Sequence, residues 1–368
     1  MQLKSLVLHS FRNYKEAFFS FSPHINHIFG ENAQGKTNLL EAVFFLIMGR
    51  SFRTPYLRDL ILNGEQEFYI EALFEKNGVD QTLKISCDGI KRKIVHNHTQ
   101  IPALSSLLGL CLGVLFSPQD HLLVKGTPLE RREFLDIHIS QYNPFYVFHL
   151  SRFYRAMRQR NILLKRRELS TIESWEEEMA KSAGYITMER KRTVKALEAI
   201  VPEFHSLLSG RGETLSFIYK TSIMNDSCEN TEHVSEAYLK QLGKLRKREL
   251  DIGSTLIGPH KDDLIFTLEG REARFFASEG QQRTCVAALK LAEWLLLKRE
   301  SGQIPLFCID DAGISLDQRR EQYLIEQLME LGQVFITSPK MSLTSTLKEA
   351  HRIEITNPSC HLSSFLSI

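Results

Sequence analysis

The first thirty residues carry apolar side chains at strand-like spacing. Leu3, Leu6 and Leu8 form one run and Phe19 and Phe21 the next, with Arg12-Asn13-Tyr14 in the turn between. Ile25-Asn26-His27-Ile28-Phe29 reads as a buried strand. Beyond Thr37 the period changes: Leu39, Leu40, Val43, Phe44 and Ile47 recur at helical spacing, and Gly49 can close that helix. Ser51-Phe52-Arg53 begins a polar connection. Alternation returns at 67–75, 81–87 and 93–99, broken by Asn77-Gly78 and Asp88-Gly89, dipeptides that favour hairpin turns. An antiparallel β subdomain follows from that pattern. A further apolar run covers 111–117.

From there the pattern is helical. Segments 129–140, 144–168, 172–200 and 232–250 read as helices, with only Thr214–Tyr219 strand-like among them. Strands resume at 263–269 and 271–276. A helix is expected over 280–299, a buried strand over 304–310, a helix over 317–331, and strands at 333–337 and 352–355. The expected fold is α/β: a mixed sheet with helices and an antiparallel β subdomain, built from 1–120 plus 253–368. An inserted helical lobe, 121–252, interrupts it. A length of 368 residues exceeds what one ordinary core holds, which agrees with two lobes.

Composition narrows the class without naming a chemistry. Hydrophobic residues make up 43% and charged residues 24%, the balance of a soluble globular protein. The net charge is +2, so attraction to nucleic acid has to come from a local patch. The six cysteines are scattered with no C-x-x-C pair, as expected of reduced thiols in a cytosolic protein. No apolar run approaches a membrane span, no signal-peptide pattern opens the chain, and no internal repeat is visible. A cytoplasmic location without membrane attachment is expected.

The stretch with the most specific chemistry is Gly30-Glu31-Asn32-Ala33-Gln34-Gly35-Lys36-Thr37, which fits G-x-x-x-x-G-K-[ST]. Gly30 and Gly35 let the backbone wrap an anion. Lys36 sets a cation against β- and γ-phosphates, and the Thr37 hydroxyl can ligate Mg²⁺. The strand before and helix after supply the required context, with the positive end of the helix towards the phosphates. The plain alternative, a glycine-rich turn with a stray lysine, explains neither flank.

Residues 304–311 form an apolar strand ending in Asp310 and Asp311. Adjacent buried acids are costly unless a cation compensates them. Asp310 is the candidate to hold Mg²⁺, directly or through water, and Asp311 to orient or deprotonate an attacking water. The alternative is a strand that reaches solvent at two aspartates. Ser278-Glu279-Gly280-Gln281-Gln282-Arg283 opens the helix bearing Cys285, Val286, Leu289 and Leu296. Ser278 can cap it, and serine, glycine and bare helix amides make a second candidate anion site. His96-Asn97-His98 has no third ligand nearby and reads as a solvated turn or strand edge.

Residues 152–167 hold Arg152, Arg155, Arg158, Arg160, Lys165, Arg166 and Arg167 with no acid among them. This stretch is the candidate DNA contact, reading phosphate and not bases. The alternative is a solvated helix face, or one paired with Glu173, Glu176, Glu177 and Glu178. Lys244, Arg246, Lys247 and Arg248 form a weaker second cluster.

Taken together, these motifs resemble an ABC-type ATPase head of the SMC kind, most closely the RecF family of bacterial DNA repair and recombination proteins. The residues are Leu8-His9-Ser10-Phe11-Arg12-Asn13-Tyr14; Gly30–Thr37 with Asn38-Leu39-Leu40-Glu41-Ala42; Phe116-Ser117-Pro118-Gln119-Asp120; Arg131-Arg132-Glu133-Phe134-Leu135-Asp136; Gly258-Pro259-His260-Lys261-Asp262-Asp263; Ser278–Arg283; and Asp310-Asp311 through Leu316-Asp317. They cover nearly the whole chain in order. Three positions depart from the family pattern. Lys261 stands where arginine is usual, Gln119 where an acid is common, and Gly313-Ile314-Ser315 replaces the usual loop before Leu316-Asp317.

The resemblance implies a weak, DNA-stimulated ATPase using ATP and Mg²⁺ as a switch. Two heads would sandwich two ATP molecules, each on the P-loop of one subunit and under the signature helix of the other. By that implication Ser278, Gly280 and Gln281 belong to the nucleotide site in trans. Gln119 would approach the Mg²⁺ or attacking water, Arg12 and Asn13 would line the nucleotide edge, and Thr337-Ser338 would lie near the switch position. It also implies an ATP-gated homodimer on DNA that acts in gap repair and the SOS response, with RecR and RecO assisting RecA. Two other classes share parts of the pattern. A transporter's nucleotide-binding subunit has the P-loop and signature, but 240 residues between Thr37 and Ser278 are many for it. An SMC-like bridge needs a longer heptad-bearing insertion.

Overall fold

The computed structural model describes residues 1–210, 212–223, 230–311, 318–339 and 350–356, and the chain divides into two compact units. The first comprises Met1–Asp120, Leu207–Gly210 and Val286–Ile368; the second comprises His121–Ser206 and Arg211–Cys285.

In the first unit, β1 (Gln2–Phe11) and β2 (Tyr14–Ser20) form a hairpin, followed by β3 (Ile25–Phe29) and α1 (Lys36–Met48). Next come β4 (Phe68–Lys76), β5 (Val79–Cys87), β6 (Arg92–His96), β7 (Thr99–Ile101) and β8 (Gly113–Phe116). The order β2-β1-β4-β5-β6-β7 makes an antiparallel six-stranded sheet. Asn77 and Gly78 both take positive φ (55° and 75°), so the β4–β5 turn has the twist that asparagine-glycine supports. His96 ends β6 with its Nε2 2.8 Å from Gln81 Oε1, while Asn97 and His98 form the following turn.

The second unit opens with α2 (Leu122–Lys125), α3 (Pro128–Ser140), α4 (Pro144–Arg166) and α5 (Ile172–Ser209), whose last residues return to the first unit. It continues with β9 (Leu215–Lys220), α6 (Thr231–Ile252), β10 (Asp263–Leu268), β11 (Arg271–Glu272) and α7 (Ala273–Phe276). The helix α8 (Glu279–Ser301) then passes into the first unit, which ends in β12 (Leu306–Ile309), α9 (Gln318–Met329), β13 (Val334–Ser338) and β14 (His351–Glu354).

Two expectations change. The chain leaves the inserted unit near residue 285, not at 253. The reason is pairing: β10 lies antiparallel between β9 and β11, so 263–272 completes a three-stranded sheet with 215–220. The expected strand 271–276 is two residues of β11 and then a helical turn, and Phe275 and Phe276 are exposed where strand alternation would have buried one.

The sheet that positions the site has the order β14-β3-β13-β12-β8, all parallel. Strands β3, β13, β12 and β8 are almost wholly buried, as parallel strands covered on both faces are, while the edge strand β14 is largely exposed. The helix α1 is apolar nearly all round and buried along its length.

Candidate nucleotide site

The carboxyl ends of a parallel sheet are where open α/β folds bind ligands. Here the P-loop leaves β3, Asp310 and Asp311 follow β12, Thr337 and Ser338 close β13, and Ser117–Asp120 follow β8. Asp310 N donates to Phe116 O at 2.9 Å, which ties the end of β12 to the end of β8.

The loop needs its glycines. Gly35 has φ 110°, and a Cβ there would lie 2.7 Å from Asn13 Nδ2; at Gly30, φ 150°, it would lie 2.4 Å from Ile355 O. Asn13 Nδ2 donates to Gln34 O at 3.2 Å and the buried Tyr14 hydroxyl to Gly35 O at 3.0 Å, so the β1–β2 turn braces the loop from behind. Gly35 precedes α1 in a left-handed conformation without a side-chain cap, and no acid sits in the first turn. The end of α1 therefore offers uncapped amides and a positive dipole to an anion.

Lys36 Nζ donates to Gly30 O and Glu31 O, both at 2.7 Å. Burial lowers its pKa, while Asp311 and Asp310 pull it back up. Glu31, Asn32 and Ala33 are exposed along the loop. The Thr37 hydroxyl donates to Asp310 Oδ1 at 2.8 Å. The Thr337 hydroxyl donates to the same oxygen at 2.9 Å and accepts from Asp311 N at 2.7 Å. Burial raises the pKa of Asp310, and the two threonine hydrogen bonds oppose that. A hydroxyl and a carboxylate held together on oxygen alone are donors that suit a hard cation such as Mg²⁺. Among the described residues no group of three or more His, Cys, Asp or Glu side chains could hold a metal, so an ion at Thr37 and Asp310 would draw its remaining ligands from substrate and water.

Arg12, expected at the nucleotide edge, is engaged by α1. Its Nε and Nη2 make a bidentate pair with the fully buried Glu41 of α1, at 2.8 and 2.7 Å, and Nη1 donates to Asp59 O. That guanidinium pins the β1–β2 turn to α1. Asn13 touches the loop through Gln34 O, and its Oδ1 accepts from Asn38. Gln119 is exposed on the short turn after β8. Ser278 N donates to Gln281 Oε1 (2.8 Å) and Gln281 N to Ser278 Oγ (3.3 Å), a reciprocal cap on α8. Ser278, Gly280 and Gln281 belong to the second compact unit and the P-loop to the first. Gly313-Ile314-Ser315 and Leu316-Asp317 lie outside the described residues.

The basic stretch divides. Arg160 is fully buried. It donates to Glu176 (2.8 Å), Glu249 (2.6 Å) and Thr255 (3.0 Å), and so cannot meet a phosphate. Arg152 is engaged by Glu178 and lies over the Phe148 ring. Arg155, Arg158, Lys165, Arg166 and Arg167 are exposed, Arg167 with Asp251 at 3.8 Å. In the second cluster Arg246 is held by Glu173 and Glu176.

The sequence motifs Arg131–Asp136 and Gly258–Asp263 interlock inside the second unit. Arg131 forms a bidentate pair with Asp263, Arg132 donates to Asp262 O, and buried Arg190 bridges Asp136 and Pro259 O. Three groups carried no specific sequence signal: Glu41 as anchor of Arg12, the Tyr14 hydroxyl under Gly35, and His27, which lies beside Ser338. His27 stands beside a second polar residue, Asn26, in that strand, so nothing in the sequence singles it out.

The RecF/RecN/SMC N terminal domain family matches residues 2–361. The DNA replication and repair protein RecF of Protochlamydia amoebophila is 50% identical over 92% of this chain and 94% of its own. The chain belongs to the RecF family. The RecF of Chlamydia caviae is 41% identical over 95% of both chains. Among solved structures, the recombination mediator protein RecF-ATP in the RecFOR pathway matches with TM-score 0.87 and 31% identity, over 93% of this chain and 92% of that one. The Smc head domain of Pyrococcus furiosus matches with TM-score 0.57 and 17% identity over 98% and 95%, a likeness of fold alone. The RecF fold is thus an ABC-ATPase-like head in which parallel and antiparallel sheets coexist.

Proposed function

We propose that this RecF-family chain binds ATP at the carboxyl edge of the parallel sheet and uses slow hydrolysis as a switch in DNA replication and repair. The observation that carries the reading is the junction of Thr37, Asp310 and Thr337 directly beside an uncapped P-loop helix. Lys36 would exchange its two carbonyl acceptors for phosphate oxygens. Thr37 and Asp310 would hold Mg²⁺, which supplies charge neutralisation of the phosphates when bound. Asp311, exposed and fixed through its amide to Thr337, is placed to orient or accept a proton from the attacking water. Gln119 follows the neighbouring strand and serves as the second polar group towards that water.

Ser278, Gly280 and Gln281 form a second anion-competent turn that belongs to the second unit. Their use by a second copy makes ATP the bridge of a homodimer, which hydrolysis then releases. The exposed cations Arg155, Arg158, Lys165, Arg166 and Arg167 carry the DNA contact, with Arg160 removed from that set. Solved relatives are described in the RecFOR pathway, which supports RecR and RecO as partners; RecA loading and the SOS response are the setting this reading proposes. No described helix is long and apolar enough to cross a membrane.

The test is sedimentation of wild-type and Lys36→Met protein with and without a non-hydrolysable ATP analogue. ATP-dependent dimerisation of the wild type that is lost in the variant is the expected result. An unchanged variant rejects the mechanism.

A further inference from the structure

In the sheet order β14-β3-β13-β12-β8, β13 runs between the strand that feeds the P-loop and the strand that ends in Asp310. A triphosphate reaching from the loop towards Asp310 therefore passes over the end of β13, where Thr337 and Ser338 lie. Thr337 is committed to Asp310 and Asp311. Ser338 is held differently. The Nε2 of His27 on β3 lies 2.7 Å from Ser338 Oγ, both side chains being almost fully buried. The register of β3 and β13, with His27 opposite Ile336 and Phe29 opposite Ser338, puts His27 one step behind the serine on the same sheet face.

The other ring nitrogen, Nδ1, is buried and meets no hydrogen-bond partner among the described residues. A buried N–H without an acceptor is costly, so the ring proton belongs on Nε2, where Ser338 accepts it. That leaves the serine proton to be donated away from His27. Burial, and secondly the charge of Arg352, hold the imidazole neutral. From this geometry we infer that His27 is a positioning residue that orients the Ser338 hydroxyl as a donor to the terminal phosphate. The inference rests on the reading of this edge as an ATP site. Its ligand chemistry is a phosphate oxygen that gains charge during transfer.

The experiment measures ATP binding at equilibrium and hydrolysis at saturating ATP for wild type, His27→Leu, His27→Gln, Ser338→Ala and the double variant His27→Leu/Ser338→Ala. Melting temperatures are recorded alongside. His27→Leu is expected to lower kcat about tenfold, the scale of one lost hydrogen bond at a transition state, with KM for ATP unchanged. His27→Gln, which keeps an N–H donor, recovers most of that loss. Ser338→Ala loses the same activity and the double variant loses no more, because both act through one hydroxyl.

If His27→Leu fails to fold, Ser338→Ala with His27→Gln still decides: a normal kcat in Ser338→Ala overturns the inference. So does an additive double variant, or a His27→Gln no better than His27→Leu. A wild type that binds ATP but never turns it over overturns the inference while leaving nucleotide binding intact. Absence of ATP binding by the wild type overturns the function reading beneath it.

Discussion

Two stretches of this RecF-family chain advertise phosphate chemistry by residue type, and folding treats them in opposite ways. In Gly30–Thr37 every special residue serves the local backbone: glycines at φ 150° and 110°, a lysine on loop carbonyls, and a threonine on Asp310. In 152–167 seven cations share one helix segment, yet Arg160 is a core residue and Arg152 an ion-pair partner. The P-loop spacing is bound to a backbone shape, so the pattern specifies its own surroundings. A run of charge specifies nothing until its partners are known, and Glu176, Glu178 and Glu249 come from α5 and α6. Buried arginines of the second unit thus hold helices together where a charge count would have set them on DNA.

The hardest test of that contrast is Arg160→Met. Leaving Glu176 and Glu249 without their cation in the core should cost about 3–5 kcal/mol, read as a lower urea midpoint at constant slope. The same change at exposed Arg158 should leave the midpoint in place.

A second test uses His260, which lies in the interlocked motifs of the second unit. Burial pushes its pKa down to about 4, outweighing its bond to Thr255 O, and Lys261, Arg132 and Arg190 push the same way. Its pKa is lower folded than unfolded, so its share of stability is complete above about pH 6.5. That share drains away as pH falls towards 4, by up to about 3 kcal/mol. Urea melts of wild type and His260→Asn across that window should converge as the wild type loses this share. Parallel curves would remove His260 from the account.

The smallest effect separates the exposed cations from the paired one. Arg155→Ala with Arg158→Ala should lower the slope of log K against log salt for duplex DNA by about 2, since each phosphate contact contributes about 0.9. Arg152→Ala, already neutralised by Glu178, should change it by less. Slopes equal to that of the wild type in both variants would mean that α4 does not face the phosphates.

What could be read in advance follows the same division. The Asn77-Gly78 turn, the P-loop helix and the acidic strand were legible because each is written in neighbouring residues. The exit from the inserted unit was not. Nothing within 253–285 announces that β10 will pair with β9, some fifty residues earlier. The helical turn Ala273–Phe276 hid for a related reason: two adjacent phenylalanines look buried, and here both are exposed, with Arg274 over the Phe275 ring and Arg271 over that of Phe276. Nothing near Arg12 in the sequence marks its bidentate partner, the buried Glu41 of α1. Long-range electrostatic partners are the part that a linear string withholds.

The interleaving of the parallel sheet also constrains the order of synthesis. The strand that carries the P-loop, β3, spans residues 25–29, but both of its neighbours, β13 and β14, come from beyond residue 330. A ribosome must therefore deliver some three hundred further residues before β3 finds a hydrogen-bonding neighbour on either side. Until then its apolar edge has to be shielded, so the newborn chain should depend on chaperones far more than the mature one, and should begin to hold nucleotide only once β13 has been made.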